Sequence, residues 1–124
     1  EGVELLGGGW SQPETWGVWS DGGSATIFIP KPTQVPKKLL VDLRAFISRA
    51  NSLQDIAVSV NDHLLREYKL DKAEGNLLSL ELPNSNGDFY KITFQLKTPA
   101  RPFDLGLNKD KRLLGIGLIS VKFE

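Results

Sequence analysis

Alternation of apolar and polar side chains at every second residue is the pattern that most constrains the fold of this chain. It is cleanest over residues 90–96, where one parity carries only apolar side chains and the other carries lysine, threonine and glutamine. A strand turns successive side chains to opposite faces, whereas an amphipathic helix needs apolar residues three and four apart. No long window shows the helical spacing. The chain is therefore predicted to be built from β-strands.

Turn residues divide the alternating sequence into short strand segments. These segments are 24–30, 38–47, 54–60, 63–70, 78–82, 90–97 and 113–123. Asn61 and Asp62 tolerate the left-handed backbone of a tight hairpin, so the two segments that flank them are predicted to pair. Gly115 and Gly117 are predicted to permit a bulge or bend in the last segment. The two faces of that segment are expected to carry Ile119, Val121 and Phe123 on one side and Leu118, Ser120 and Lys122 on the other.

A helix is the alternative for segment 38–47, because its leucine and alanine content suits a helix. Its strict alternation and its neighbouring strands favour a strand. A short helical turn is expected near 48–54.

Strand after strand without a long helix leaves no crossover for a parallel sheet, so the predicted fold class is all-β, a two-sheet antiparallel β-sandwich. The 124 residues match one domain, 1–124, with its own hydrophobic core.

Composition argues against several classes of function. The 15 basic and 15 acidic side chains balance, so no net field would concentrate nucleic acid on the surface. The absence of cysteine excludes a thiol nucleophile, a disulfide framework and a thiolate metal site. The chain has no methionine, and no apolar stretch approaches the ~20 residues of a membrane span. We therefore expect an excised part of a longer polypeptide.

Candidate catalytic and metal-binding groups are sparse. The lone histidine, His63, lies beside the predicted hairpin turn and is interpreted as a surface residue, since no second imidazole or cysteine could share a metal with it. The stretch 7–9 is all glycine without the lysine and hydroxyl of a phosphate-binding loop, so a flexible turn is predicted. Residues 108–112 lack EF-hand spacing, and an ion pair that involves Asp110 or Arg112 is favoured over calcium. No metal ion or cofactor is expected.

All three tryptophans fall within ten residues, at Trp10, Trp16 and Trp19, together with Glu14 and Asp21. Indole faces stack on the C–H faces of sugar rings while carboxylates accept hydrogen bonds from hydroxyl groups, so these five residues form a candidate carbohydrate-binding site. Core packing is the alternative, favoured for Trp19 and evenly weighed for Trp10 and Trp16. Glu14 can instead cap a loop. A hydrolase that uses Glu14 and Asp21 as paired carboxylates is a third, less favoured interpretation.

Two stretches at opposite ends of the chain carry a family resemblance. They are Gly9-Trp10-Ser11, Glu14 and Trp16-Gly17-Val18-Trp19-Ser20-Asp21 near the start, and Leu105-Gly106-Leu107, Asp110, Arg112 and Leu114-Gly115-Ile116 near the end. Together they resemble the C-terminal jelly-roll accessory domain of membrane-anchored phosphoglycerol transferases and related bacterial envelope glycosyltransferases. The resemblance covers nearly the whole chain. The motif positions that carry over are Trp10, Glu14, Trp16, Trp19, Asp110 and Arg112.

The resemblance implies a jelly-roll sandwich like that of a carbohydrate-binding module, with no catalytic residues of its own. Transfer of phosphoglycerol to periplasmic glucans would belong to a separate metal-dependent domain of the parent transferase, on the periplasmic face of the bacterial inner membrane. The expected partners are a glucan or another glycan and that catalytic domain, but not nucleic acid. We expect a monomer without a membrane span of its own. A purely structural module that packs on the catalytic domain is the alternative.

Overall fold

The computed structural model describes residues 4–124. Nine strands follow one another along the chain, and residues 4–124 contain no helix. The strands are β1 (Leu5–Leu6), β2 (Val18–Trp19), β3 (Ser24–Pro30), β4 (Lys38–Ala45), β5 (Gln54–Val60), β6 (His63–Leu70), β7 (Asn76–Glu81), β8 (Phe89–Leu96) and β9 (Ile116–Phe123).

The strands form two sheets, and every strand pairing is antiparallel. One sheet has five strands in the order β1-β3-β8-β5-β6, and the other has four in the order β2-β9-β4-β7. Within residues 4–124, β5 and β6 are the only consecutive strands that pair, and the chain crosses from one sheet to the other at each of the remaining seven connections. The predicted all-β, two-sheet antiparallel sandwich is confirmed.

The hydrophobic core lies between the sheets and is filled by the alternating residues. In β3 and β4, every second side chain is buried, and the same is true of β7 and β8. Phe94 of β8 is the largest fully buried side chain. Burying an aliphatic or aromatic side chain of this size stabilises the fold by about 1.5–3 kcal/mol. The period of two in the sequence therefore locates the core correctly.

Segment 38–47 forms a strand, not a helix, over Lys38–Ala45. It lies between β7 and β9 and is hydrogen-bonded to both, while Leu39, Val41 and Leu43 are buried in the core. The helical turn expected near 48–54 is wrong. A tight turn takes its place, closed by backbone hydrogen bonds of 3.0 and 3.2 Å that Ser48 and Asn51 exchange. Pairing on both edges of β4 outweighs the helix propensity of its leucines.

The hairpin predicted around Asn61 and Asp62 is confirmed, with left-handed φ values of 51° and 70° at these residues. The predicted faces of the last strand are only partly correct. Leu118 is buried and Ile119 is half-buried, because the register of β9 on β4 skips Ile119. The bulge thus lies at Ile119 and not at the glycines, and it lets both Leu118 and Val121 face the core.

Candidate functional site

Residues 9–21, which we call the tryptophan hairpin, fold back on themselves and add β2 to the edge of the four-stranded sheet. The backbone pairs that close the hairpin are Trp10 with Ser20, Ser11 with Trp19, and Glu14 with Gly17. Glu14 and Gly17 exchange two backbone hydrogen bonds of 2.7 and 3.2 Å, so Thr15 and Trp16 form the tip. The hairpin therefore presents Trp16 at its end.

Two glycines allow the hairpin to lie this close to the sheets. Gly9 has a φ of 93°, and a Cβ there would collide with the carbonyl oxygen of Ser24. Gly17 has a φ of 151°, and a Cβ there would collide with the carbonyl oxygen of Leu118. The flexible turn predicted for residues 7–9 is instead a paired segment, since the N–H of Gly7 donates to the carbonyl of Thr26 at 2.8 Å. Close backbone approach explains these glycines.

Trp10 packs inward. Its ring lies edge-to-face on Phe94 with centroids 6.3 Å apart, and its Nε1 donates a hydrogen bond of 2.8 Å to the carbonyl of Thr26. Trp10 is one of the half-buried residues that contact the core cluster. Both the ring and the N–H of Trp10 therefore make contacts inside the domain. For Trp10 this agrees with the core-packing interpretation and not with a sugar-binding role.

Trp16, Trp19 and Phe46 form a half-buried group on the outer face of the four-stranded sheet, which we call the aromatic cluster. The ring centroids of Trp16 and Trp19 are 5.3 Å apart, and those of Trp19 and Phe46 are 6.4 Å apart, both edge-to-face. The core position favoured for Trp19 is not observed. Val18 takes the inward position of β2, and the strand geometry turns the next side chain outward.

Gly117 of β9 provides the space for Trp16. A Cβ at Gly117 would lie 2.7 Å from Cη2 of Trp16 and 3.1 Å from Cβ of Arg44. Arg44, on β4, places its guanidinium carbon 4.0 Å from the centroid of the Trp16 ring. Trp16 therefore has Gly117 beneath it and a cation over one ring face. Such a cation–π contact contributes about 0.5–2 kcal/mol.

Glu14 forms a hydrogen bond with the indole N–H of Trp16. Its Oε1 accepts a hydrogen bond of 3.1 Å from Nε1 of Trp16, and its Oε2 lies 3.7 Å from Nη1 of Arg112. Arg112 also donates to the Oγ of Ser11 at 3.0 Å. Arg112 donates to both carboxylate oxygens of Asp110, with Nη2 at 2.7 Å from Oδ2. These contacts join the hairpin to the loop before β9.

Asp21 lies at the end of the hairpin. Its Oδ1 accepts a hydrogen bond of 2.9 Å from the backbone N–H of Leu113. The side chain therefore links the hairpin to the loop before β9, and within residues 4–124 it forms no hydrogen bond with the aromatic cluster. Of the five candidate carbohydrate-binding residues, the structure brings Glu14, Trp16 and Trp19 together.

Sequence reasoning missed Arg44 and Phe46. Both come from the end of segment 38–47, which is remote from the tryptophans in sequence and adjacent to them in space. The sequence contained a hint at Phe46. This large apolar residue follows the buried Ala45, so the alternation turns its side chain away from the core. Such a residue marks an apolar site on the outer face of a sheet.

The hydrogen bond from Arg112 holds the pKa of the Asp110 carboxyl below its ordinary value, against a smaller opposing effect of desolvation. A carboxyl whose folded pKa is depressed stabilises the fold above its unfolded pKa, near 3.9, and the stabilisation is lost as the pH falls through the folded pKa. We predict that Asp110→Asn lowers the free energy of unfolding by about 1 kcal/mol near pH 7. The difference from the parent chain should be smaller at about pH 3, which lies below the unfolded pKa, than at pH 7.

Urea unfolding at the two pH values measures this difference, with Asp104→Asn as the control. Asp104 is exposed and forms no ion pair among residues 4–124, so its replacement should have little effect at either pH. A pH-independent loss in Asp110→Asn would show that the carboxylate charge is not responsible.

Other chemistry is limited in the part of the chain that the structure describes. Within residues 4–124, no three His, Cys, Asp or Glu side chains come together as a metal-binding group. His63 is exposed at the start of β6, in agreement with its interpretation as a surface residue. Residues 4–124 contain no helix that is long and apolar enough to cross a membrane.

A family model described as a domain of unknown function, DUF7024, matches residues 4–124. The chain belongs to the DUF7024 family. No curated protein matches this DUF7024 domain significantly.

Solved structures share the fold of the DUF7024 domain. A family two carbohydrate esterase from Clostridium thermocellum, solved with cellohexaose, matches 98% of this chain and 31% of its own, with a TM-score of 0.60 at 8% identity. An active-site mutant of a family two carbohydrate esterase from the same organism gives a TM-score of 0.56 at 8% identity, over 100% and 32% of the two chains. The secreted serine protease VesC from Vibrio cholerae gives 0.53 at 16% identity, over 98% and 24%. The DUF7024 domain thus spans a third or less of these chains, and the likeness is one of fold alone.

Proposed function

We propose that this DUF7024 domain is a noncatalytic glycan-binding module, and that the aromatic cluster with Glu14 is the surface that contacts the sugar. The observation that carries the proposal is the position of Trp16 and Trp19 outside the core. Both indoles are half-buried on the outer face of a sheet, where the sandwich does not need them to fill its interior. Large aromatic side chains held in this way on a surface are typical of binding sites.

The cluster offers both parts of sugar recognition. The indoles supply flat apolar surface for the C–H faces of a pyranose, and Glu14 supplies carboxylate oxygens for hydroxyl groups. Arg44 covers one face of Trp16, so a sugar has Trp19 and the remaining exposed part of Trp16 to contact. A shallow surface of this kind gives weak binding, with a Kd of about 1 mM, or ~4 kcal/mol.

The shared fold supports the proposal. The C. thermocellum esterase that contains a similarly folded part was solved with cellohexaose, so a sandwich of this shape occurs within a carbohydrate-active enzyme. A noncatalytic role fits a domain that spans about a third of such a chain. In this chain the proposed binding residues are Trp16, Trp19 and Glu14, which contact one another at the surface.

We further propose that the parent protein is an envelope transferase that transfers phosphoglycerol to periplasmic glucans, and that the module lies on the periplasmic face of the bacterial inner membrane. The support is the sequence resemblance at the tryptophan hairpin and at Asp110 and Arg112. The sequence that precedes Glu1 in the intact gene tests it. Transmembrane helices followed by a metal-dependent transferase domain would support the proposal, and a different class of enzyme would overturn it.

Titration with linear and cyclic glucans, followed by the NMR signals of the three indole N–H groups, tests the binding function. We predict that the Trp16 and Trp19 signals shift with a Kd of about 1 mM. The Trp10 signal should stay constant, because that N–H is bonded to Thr26 inside the domain. Trp19→Ala should weaken binding at least tenfold. Phe103→Ala, which removes an exposed aromatic ring outside the cluster, should not.

Absence of any shift at glucan concentrations of about 50 mM would overturn glucan binding, since a Kd near 1 mM would then saturate the site. Equal shifts at all three indoles would indicate a change of the whole fold and not a local contact. A loss in Phe103→Ala equal to that in Trp19→Ala would place the site elsewhere.

A second function, structural packing on a catalytic domain of the same parent, is favoured by a different surface. A groove of about 460 Å³ lies between the edge strands β6 and β7. Its lining residues are Lys38, Leu65, Arg66, Tyr68, Ser79, Leu80 and Glu81. Leu65 is 38% exposed there, which suits a surface covered in a larger protein. The glucan titration separates the two functions, because a purely structural module gives no response.

A further inference from the structure

Arg44 occupies a defined position beside the aromatic cluster. It takes an outward position on β4, opposite Gly117 of β9, and its guanidinium carbon lies 4.0 Å from the centroid of the Trp16 ring. Stacking on the indole restricts the rotation of the guanidinium plane. The cation is therefore presented at the edge of the proposed sugar-binding surface.

The guanidinium of Arg44 has no polar partner among residues 4–124. Its Nε is buried without a hydrogen bond, and no carboxylate in that range forms an ion pair with it. Arg112, by contrast, contacts the carboxylates of both Asp110 and Glu14. A partly desolvated cation without an anionic partner is costly, and the contact with Trp16 offsets only part of that cost.

No acid among residues 4–124 forms an ion pair with Arg44. Glu14 is held by the indole N–H of Trp16 and by Arg112. Asp42, at the preceding outward position of β4, forms no ion pair with Arg44. Nε of Arg44 is buried, whereas Nη1 and Nη2 reach the surface without a hydrogen-bond partner in residues 4–124, so these two donors are available to an anionic group that arrives with a ligand.

We propose that the glycan recognised by this domain is acidic, and that Arg44 binds its carboxylate or phosphate group while the sugar contacts the aromatic cluster. The inference rests on the glycan-binding function proposed above. A guanidinium donates two parallel hydrogen bonds to either of these anions, which gives both affinity and orientation. Trp16 fixes the plane of this fork, and the adjacent indole of Trp19 receives the sugar ring that carries the acid.

Three matched probes test the inference: a neutral gluco-oligosaccharide, the same oligosaccharide oxidised to carboxylates at C6, and the same oligosaccharide phosphorylated at C6. We expect one or both acidic probes to bind the parent domain at least tenfold more tightly than the neutral probe. Whichever acidic probe, carboxylated or phosphorylated, binds more tightly identifies the anion that Arg44 prefers. The preference should decrease as the salt concentration rises, because dissolved ions screen an ion pair that is only partly buried.

Arg44→Gln should bring the ratio of acidic to neutral affinity, measured within that one variant, close to one, because the anion then has no guanidinium to bind. Arg44→Lys should retain only part of the preference, since an ammonium lacks the planar fork. Asp42→Asn is the matched control, because it removes a charge from the same face and should not weaken binding of either acid. One-dimensional NMR spectra verify that each variant is folded.

The outcomes distinguish this inference from the function on which it rests. Equal affinity for neutral and acidic probes would contradict the proposal that the ligand is acidic, but it would still support the proposal that the domain binds glycans. A preference for acid that persists in Arg44→Gln also overturns the assignment, because the anion is then held elsewhere. If none of the three probes binds, both the glycan-binding function and the acidic ligand are contradicted.

Discussion

Gly9→Ala is expected to lower the free energy of unfolding by more than about 3 kcal/mol, a large share of the roughly 5–15 kcal/mol that is typical of a folded domain. The φ of 93° at Gly9 is unfavourable for any residue with a side chain. The added Cβ would also collide with the Ser24 carbonyl and lie 2.7 Å from the Cα of Ala25. Both atoms belong to the backbone of β3, which is paired with β8 and cannot move aside.

The neighbouring glycine provides the control for this prediction. A Cβ at Gly8 would meet no atom within 4 Å, so Gly8→Ala should change the free energy of unfolding by less than about 1 kcal/mol. Urea denaturation of the two variants beside the parent chain makes the comparison. Equal stability of Gly8→Ala and Gly9→Ala would mean that the tryptophan hairpin does not lie against β3 as described.

Phe94→Ala is expected to lower the free energy of unfolding by about 3–5 kcal/mol, because it leaves a large cavity between the sheets. Phe94 is 0% exposed. Its ring also supports Trp10, whose centroid lies 6.3 Å away. The variant should therefore loosen the base of the tryptophan hairpin, and the Trp10 indole signal should move while the fold is still intact.

Phe89→Ala is the matched control for the core. Phe89 lies on the same strand, β8, but on its outward face, and is 44% exposed. Its truncation should cost less than about 1 kcal/mol. Thermal and urea unfolding of the two phenylalanine variants measures the difference. Similar losses in both would contradict the placement of the core on the inward face of β8.

Period-two alternation predicted the strands well because burial on one face selects side chains directly. The predicted segment 24–30 coincides with β3, and the segments around Asn61 and Asp62 coincide with β5 and β6. The pairing of strands was not predictable in the same way. Almost every ladder joins strands distant in sequence, and no local pattern records which strand lies beside which. The bulge at Ile119 also depends on such a partner, since it exists only relative to β4.

The candidate site was predictable to the extent that it is local. Glu14, Trp16 and Trp19 lie close together in the sequence and meet in the structure. The orientation of the tryptophans was not predictable, because β2 has only two residues and alternation over so short a strand does not show which one faces inward. Arg44 and Phe46 reach the cluster only through the order of β2, β9 and β4 in their sheet.

The pairing of Val18 with Leu118 has a consequence for when the aromatic cluster can form. The first and last thirds of the polypeptide must meet before Trp16 has Gly117 beneath it and Arg44 beside it. The aromatic cluster therefore cannot assemble during synthesis until β9 has left the ribosome. A protease that removes β9 would dismantle the cluster without cleaving the chain near any tryptophan.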